Sequence, residues 1–279
     1  MDTRSITSEL LSMPDSEEMP ILFVGHGNPM NAIEDNVYSK MWKKLGTKLP
    51  TPKAILVVSA HWETKGTQVL VSEKPRTIHD FGGFPRKLFE QQYPAPGAPA
   101  FAKETAKLML PTKVAEDLTW GLDHGTWSVL LPMYPEAKIP VYQLSLDYTQ
   151  GAAYHYKIAS QLSKLRKKGV LIVGSGNVVH NLGRVQWGKQ GGYDWAVEFD
   201  TKVKNYIDTE NHQALVDYTK IGNSANLSIP SNEHYLPLLY VLANRKKGEK
   251  PLYFNDTLEM GSISMRSVIF GAKDLKLDK

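Results

Sequence analysis

The chain has 279 residues, enough to bury about three quarters of its unfolded surface in a core without disulfides or metal staples. Its 33 Lys and Arg against 29 Asp and Glu leave a net charge of +4, scattered along the chain, which gives no basic stripe to suit nucleic acid. Charged residues at 22% and aromatics at 10% exclude a mostly disordered chain, and the absence of cysteine excludes disulfides, thiolate metal sites and a cysteine nucleophile.

Residues 1–18 carry acids where a signal peptide would have its apolar core, so they read as a loose tail or short helix. No run approaches the roughly 18 apolar residues of a membrane span. The expectation is a cytoplasmic protein with no membrane and no nucleic acid as partner. Residues 19–279 then form a single catalytic α/β domain.

Three short β-branched runs predict strands buried on both faces: Ile21–Val24, Ala54–Val58 and Val170–Val173. Asn31-Ala32-Ile33-Glu34 reads as a capping box opening a helix towards Leu45. Tyr93-Pro94-Ala95-Pro96-Gly97 reads as a surface loop. Helices are expected at 99–110, 151–168, 193–208 and 232–244, and further strands at 67–72, 139–146 and 262–270. Arg166-Lys167-Lys168-Gly169 suits the basic last turn of a helix and its glycine stop. The fold class is α/β: a central mixed sheet flanked by helices on both faces, with the site at the carboxyl ends of the strands.

The eight histidines are the informative feature. His26 follows the first strand in ILFVGHGNP, and His61 follows the second in AILVVSAHW. His180 lies a few residues beyond the third, in VLIVGSGNVVH. Ligands of open α/β sheets bind outside the carboxyl ends of the strands, so these three can converge. Imidazole suits zinc and non-haem iron. His124 sits in LDHGTW before an apolar helix, and His234 sits where the helix over 232–244 opens. On that helix Glu233 would point about 100° away from His234 and would serve the helix dipole. His155 and His212 have no such context and read as structural or surface.

Gly174-Ser175-Gly176 is not a nucleophile elbow, which needs glycines two positions either side of the serine. The third glycine of a dinucleotide fingerprint is also missing. These glycines read instead as a close backbone passage near the site.

The segments GHGNP, SAHWE, TIHDFGGFP, YPAPG, LDHGTW, GVLIVGSGNVVHNL, EHYLPLL and GSISMRS occur in that order over residues 20–270. Together they resemble the class III extradiol ring-cleaving dioxygenases, nearest the 4,5-DOPA extradiol dioxygenase-like branch of bacteria and plants. The resemblance implies one α/β domain with a mononuclear metal in a cleft. It implies His26, His61, His180 and His234 at the metal, and His124 as acid/base beside it. Better-known members use two histidines and a glutamate; here the late position reads Glu233-His234, and the match favours His234. The implied reaction opens a catechol, DOPA or a relative, with O2. It needs Fe(II), while a histidine-rich site also suits Zn2+ as the ion found bound. His79 and Asp80 are expected at the pocket mouth, and Trp62, Phe81, Phe84 and Trp127 as its aromatic walls. Asp123 is expected to cap the helix after it. A zinc-dependent hydrolase and a non-enzymatic metal-binding interaction protein, like the Memo-type relatives, stand as alternatives. The sequence leaves the oligomeric state open.

Overall fold

The structure is a computed structural model that describes residues 15–272 and 275–277. The expected tail therefore lies largely outside the described residues. Residues 15–18 are not helical. They are tied down, with Asp15 Oδ1 2.9 Å from Lys168 Nζ and Ser16 N–H donating to Lys167 O.

Six strands form the central sheet: β1 (Ile21–Gly25), β2 (Ala54–Ser59), β3 (Val141–Gln143), β4 (Val170–Gly176), β5 (Leu252–Phe254) and β6 (Ser267–Phe270). Their spatial order is β5-β6-β1-β4-β2-β3. The run β1-β4-β2-β3 is parallel, and β6 runs antiparallel to β1 and to β5. The sheet is mixed, as expected.

Strand alternation divides the core in two. Ile21, Phe23, Leu56, Val58, Val170 and Ile172 face one helical layer. That layer contains α4 (Ala152–Ala159), α5 (Ser163–Lys167), α6 (Asp194–Asp208) and α7 (Leu236–Ala243). Leu22, Val24, Ile55, Val57, Leu171 and Val173 face the other, where Trp42 of α1 (Val37–Lys48) and Trp127 of α3 (His124–Met133) are fully buried. The helix α2 (Pro99–Leu108) packs beside α4's layer. Among the described residues no helix is long and apolar enough to cross a membrane.

Several boundaries differ from the sequence reading. Residues 29–32 form one 3-10 turn, and α1 starts at Val37 with Asn36 and Ser39 as the reciprocal capping pair. Asn31 cannot cap because its amide is committed elsewhere: Nδ2 donates to His26 O, and Oδ1 accepts from Asn36 Nδ2. The helix expected over 151–168 is interrupted by a 3-10 turn at Ser160–Leu162. The helix expected over 232–244 begins only at Leu236, with Pro237 in its first turn. Strand 67–72 is Thr67–Leu70 and pairs with Val114–Asp117 outside the main sheet. The strands expected at 139–146 and 262–270 are each broken into two short pieces.

Candidate metal centre

The ladder β1-β4-β2 is in register, with Val24 paired to Ser175 and Ser175 paired to Ser59. All three strands therefore end level, and His26 and His61 emerge from neighbouring chain ends. The third contribution comes from the turn before α7. Gly176 lets that turn press onto β4, because a Cβ there would lie 2.1 Å from His234 O. Gly174 does the same for Pro237, at 2.4 Å from its carbonyl oxygen. The glycines thus provide the close backbone passage that the sequence implied.

The imidazoles of His26, His61 and His234 form a nearly equilateral triangle. Ring centroids are 5.0 Å apart for His26–His61, 5.1 Å for His26–His234 and 5.0 Å for His61–His234. His180 stacks on His234 at 3.4 Å, and His124 lies 3.8 Å from His61. Ligand atoms of His26, His61 and His124 lie within 4.8 Å of one another, as do those of His180, Glu233 and His234. All five histidines singled out from the sequence meet in one place.

Glu233 and His234 sit in a turn and not on a helix, so the 100° separation does not apply. Both face the site, and the Glu233 carboxylate accepts from Ser231 Oγ at 3.0 Å, away from any dipole role. His124 is the first residue of α3. Asp123 caps that helix, accepting from Thr126 N–H.

Each ring of the triangle has its Nδ1 facing an oxygen. His26 Nδ1 is 2.9 Å from Ser175 Oγ, His61 Nδ1 is 3.3 Å from Asp80 Oδ2 and His234 Nδ1 is 3.3 Å from Asn177 Oδ1. Asn177 Nδ2 donates to Ser264 O, which fixes the amide so that Oδ1 faces the ring. A neutral imidazole carries one N–H, and an Nδ1–H leaves Nε2 a bare lone pair. His26 Nε2 and His61 Nε2 face each other at 3.1 Å. Two lone pairs that close repel, unless a cation stands between the donors. The donor set therefore fits a divalent ion that takes imidazole.

Burial and the neighbouring imidazoles hold His26 and His234 well below the ordinary histidine range. The same causes bring His61 down to about 3 and His180 to about 4. These rings are neutral at pH 7, as ligation requires. Burial pushes the Asp80 carboxyl up, but the His124 and His61 rings outweigh it and hold the group ionised.

Asp80, expected only at the pocket mouth, reaches further into the site. It receives the His124 backbone N–H on Oδ1 at 2.9 Å, and its Oδ2 lies 3.0 Å from His124 Nδ1. One carboxylate thus braces both His61 and His124. His79, expected beside it at the pocket mouth, turns away: its Nε2 meets Gln91 O at 2.9 Å. Trp62 and Trp127 are core and not pocket wall; Trp62 stacks on Trp120, and Trp127 Nε1 donates to Ile78 O. Phe81 and Phe84 do line the cavity, together with Trp187. His155 and His212 are structural, bonded to Tyr240 and Tyr156.

The cavity over the histidines measures about 710 Å3, roomy for a single aromatic ring with a side chain. A histidine-rich centre at the carboxyl edge of a mixed sheet, under an aromatic-walled cavity, defines a metal-dependent enzyme of small aromatic molecules. Residues 20–256 match the family described as the catalytic LigB subunit of aromatic ring-opening dioxygenase, and the chain belongs to that family. It is an extradiol ring-opening dioxygenase.

The chain is 49% identical over 263 residues to the 4,5-DOPA dioxygenase extradiol of Escherichia coli K12, covering 92% of this chain and 96% of that protein. It is 36% identical over 256 residues to the 4,5-DOPA dioxygenase extradiol of Beta vulgaris, covering 89% and 95%. The crystal structure of an uncharacterized protein from Escherichia coli K12 superposes with a TM-score of 0.80 at 46% identity, covering 91% of this chain and 100% of that one.

Proposed function

We propose that the enzyme opens the ring of DOPA or a closely related amine-bearing catechol, using Fe(II) held by His26, His61 and His234. The observation that carries the ligand set is the equilateral triangle of three rings, with Nδ1 hydrogen-bonded to an oxygen in His26 and His234 and beside the Asp80 carboxylate in His61. His180, stacked on His234, lies beside these rings and would narrow the approach to an ion held there.

When bound, Fe(II) supplies a shared template and redox path for catechol and O2, whose direct reaction is spin-forbidden. The chain's own residues do the rest. His124 would take a proton from a catechol hydroxyl on its free ring nitrogen and return it to the opened product. Asp80, which accepts the His124 backbone N–H and lies 3.0 Å from its Nδ1, would hold that residue at the cavity and stabilise the ring when it is charged. Phe81 and Phe84 wall the catechol and exclude water from it.

The cavity wall carries Glu63, Asp80 and Glu233 and no lysine or arginine among the described residues. That balance suits a catechol bearing an ammonium group over one bearing only a carboxylate. Zn2+ also fits three imidazoles, but it is closed-shell and supports no oxygen chemistry. The test is anaerobic loading with Fe(II), then a panel of catechols with O2 uptake recorded. O2-coupled ring opening with Fe(II) and none with Zn2+ supports the reading. Equal turnover by the Zn2+ form, or activity that survives strict anaerobiosis, favours a hydrolase.

A further inference from the structure

The glycine-flanked serine of β4 has no part in nucleophilic chemistry, yet its hydroxyl is wholly buried and doubly bonded. Ser175 is fully inaccessible to solvent. Its Oγ donates to Gly125 O at 2.5 Å and lies 2.9 Å from His26 Nδ1. We infer that Ser175 is a positioning residue that fixes His26 in its Nδ1–H tautomer, so that Nε2 is presented bare to the metal. This rests on the reading that His26 holds the ion.

Counting protons fixes the roles. A hydroxyl has one hydrogen, and a backbone carbonyl can only accept. The short contact to Gly125 O therefore claims the serine proton. The oxygen can then serve His26 only as an acceptor, so His26 must donate from Nδ1. A neutral imidazole has no second N–H, and its Nε2 is left without a hydrogen.

The fold leaves this hydroxyl little freedom. Ser175 sits mid-ladder, paired with Val24 on one side and Ser59 on the other. Val24 is two residues before His26, and Ser59 two before His61. Gly125 follows His124 directly, and its own approach is tight: a Cβ there would lie 2.5 Å from Ser59 Oγ. One hydroxyl thus ties the segment carrying His124 to the ring of His26. It sets the tautomer of one residue and the distance to the other.

The test is Ser175→Ala, read in two ways. Nitrogen-detected imidazole NMR on metal-stripped, folded protein reports which ring nitrogen is protonated. Wild type is expected to show His26 as Nδ1–H, and Ser175→Ala to show it shifted to Nε2–H, with His234 unchanged because Asn177 still holds it. Affinity for Fe(II) and Zn2+, measured by chelator competition, is expected to fall about 10- to 100-fold, the usual range for a lost partner behind a ligand. A His26 that stays Nδ1–H in the variant, or affinity within about twofold of wild type, overturns the proposal. Should the variant fail to fold, the wild-type spectrum decides, since an Nε2–H His26 is incompatible with the argument. His26→Ala separates the two readings. If it keeps full metal affinity, the ligand assignment fails, and the tautomer result is judged by NMR alone.

Discussion

Gly176 and His234 meet backbone to backbone: the His234 carbonyl oxygen accepts from Asn177 N–H at 2.9 Å and occupies the space a Gly176 side chain would need. The position of His234 is thus set by a missing side chain on β4. Gly176→Ala places a methyl 2.1 Å from that oxygen. It is expected to cost about 1–3 kcal/mol of stability by overpacking. Metal affinity should fall as well, because the turn must move. Chemical denaturation and chelator competition measure the two effects, and a variant with wild-type values in both would refute the link.

The triangle makes unequal demands on its neighbours. His26→Ala, His61→Ala and His234→Ala are each expected to abolish tight metal binding while keeping the fold, since the core lies on the two faces of the sheet. His180→Ala removes a stacked ring and should weaken binding far less. Elemental analysis with circular dichroism checks this. Metal lost on His180→Ala and kept on His234→Ala would move the site to the other side of the stack.

His124→Ala is expected to keep its metal and its catechol affinity while kcat falls about 10²- to 10⁴-fold, as for a lost general acid–base group. Asp80→Asn should lower kcat too and also loosen the metal, because the same carboxylate braces His61. Single-turnover kinetics beside metal content separate the two roles. Loss of metal in His124→Ala would instead make that ring a ligand.

Charge in the cavity predicts a ranking of substrates. DOPA and dopamine are expected to exceed 3,4-dihydroxyphenylpropionate in kcat/KM by about fivefold to tenfold, the worth of a partly screened charge pair of ~1 kcal/mol. Glu63→Gln should narrow that gap without changing metal content. A preference for the carboxylate-only catechol would count against the amine reading.

Acidification should unfold the metal-stripped protein early. His61 is held near pH 3, and His155 and His180 near pH 4, chiefly by burial, whereas all three titrate near 6.5 when unfolded. The unfolded chain therefore binds more protons below about pH 6.5, and each ring costs about 1.4 kcal/mol per pH unit down to its folded value. Stability from these groups is complete above about pH 6.5 and is lost as pH falls to about 4 for His155 and His180 and to about 3 for His61. Urea midpoints at pH 7, 6 and 5 report it, and a midpoint that is flat or rises on acidification would contradict the assignment.

What the sequence made legible was local. Three β-branched runs gave the strands, and their flanking histidines gave the site, because both signals lie within a few residues. The bracing of His61 and His124 by Asp80 was not legible. It depends on a loop 44 residues before His124 folding back to that helix's first turn. Asn31 is a good cap by type, but it spends its amide on the His26 carbonyl, and α1 starts after Asn36 instead. The apolar pattern carries the helix back through Glu233, whereas it begins three residues later and leaves that carboxylate facing the cavity.

The level ends of β1, β4 and β2 make the sheet a ruler for the chemistry. Side chains alternate between faces along a strand, so a single inserted residue in β1 or β2 would advance its histidine by about 3.3 Å and turn it to the opposite face. The loops beyond the histidines are free of that alternation, apart from the stretch that returns Asp80 to His61 and His124. A residue inserted there, away from Asp80, would reshape the cavity and leave the strand ends that carry His26 and His61 in place.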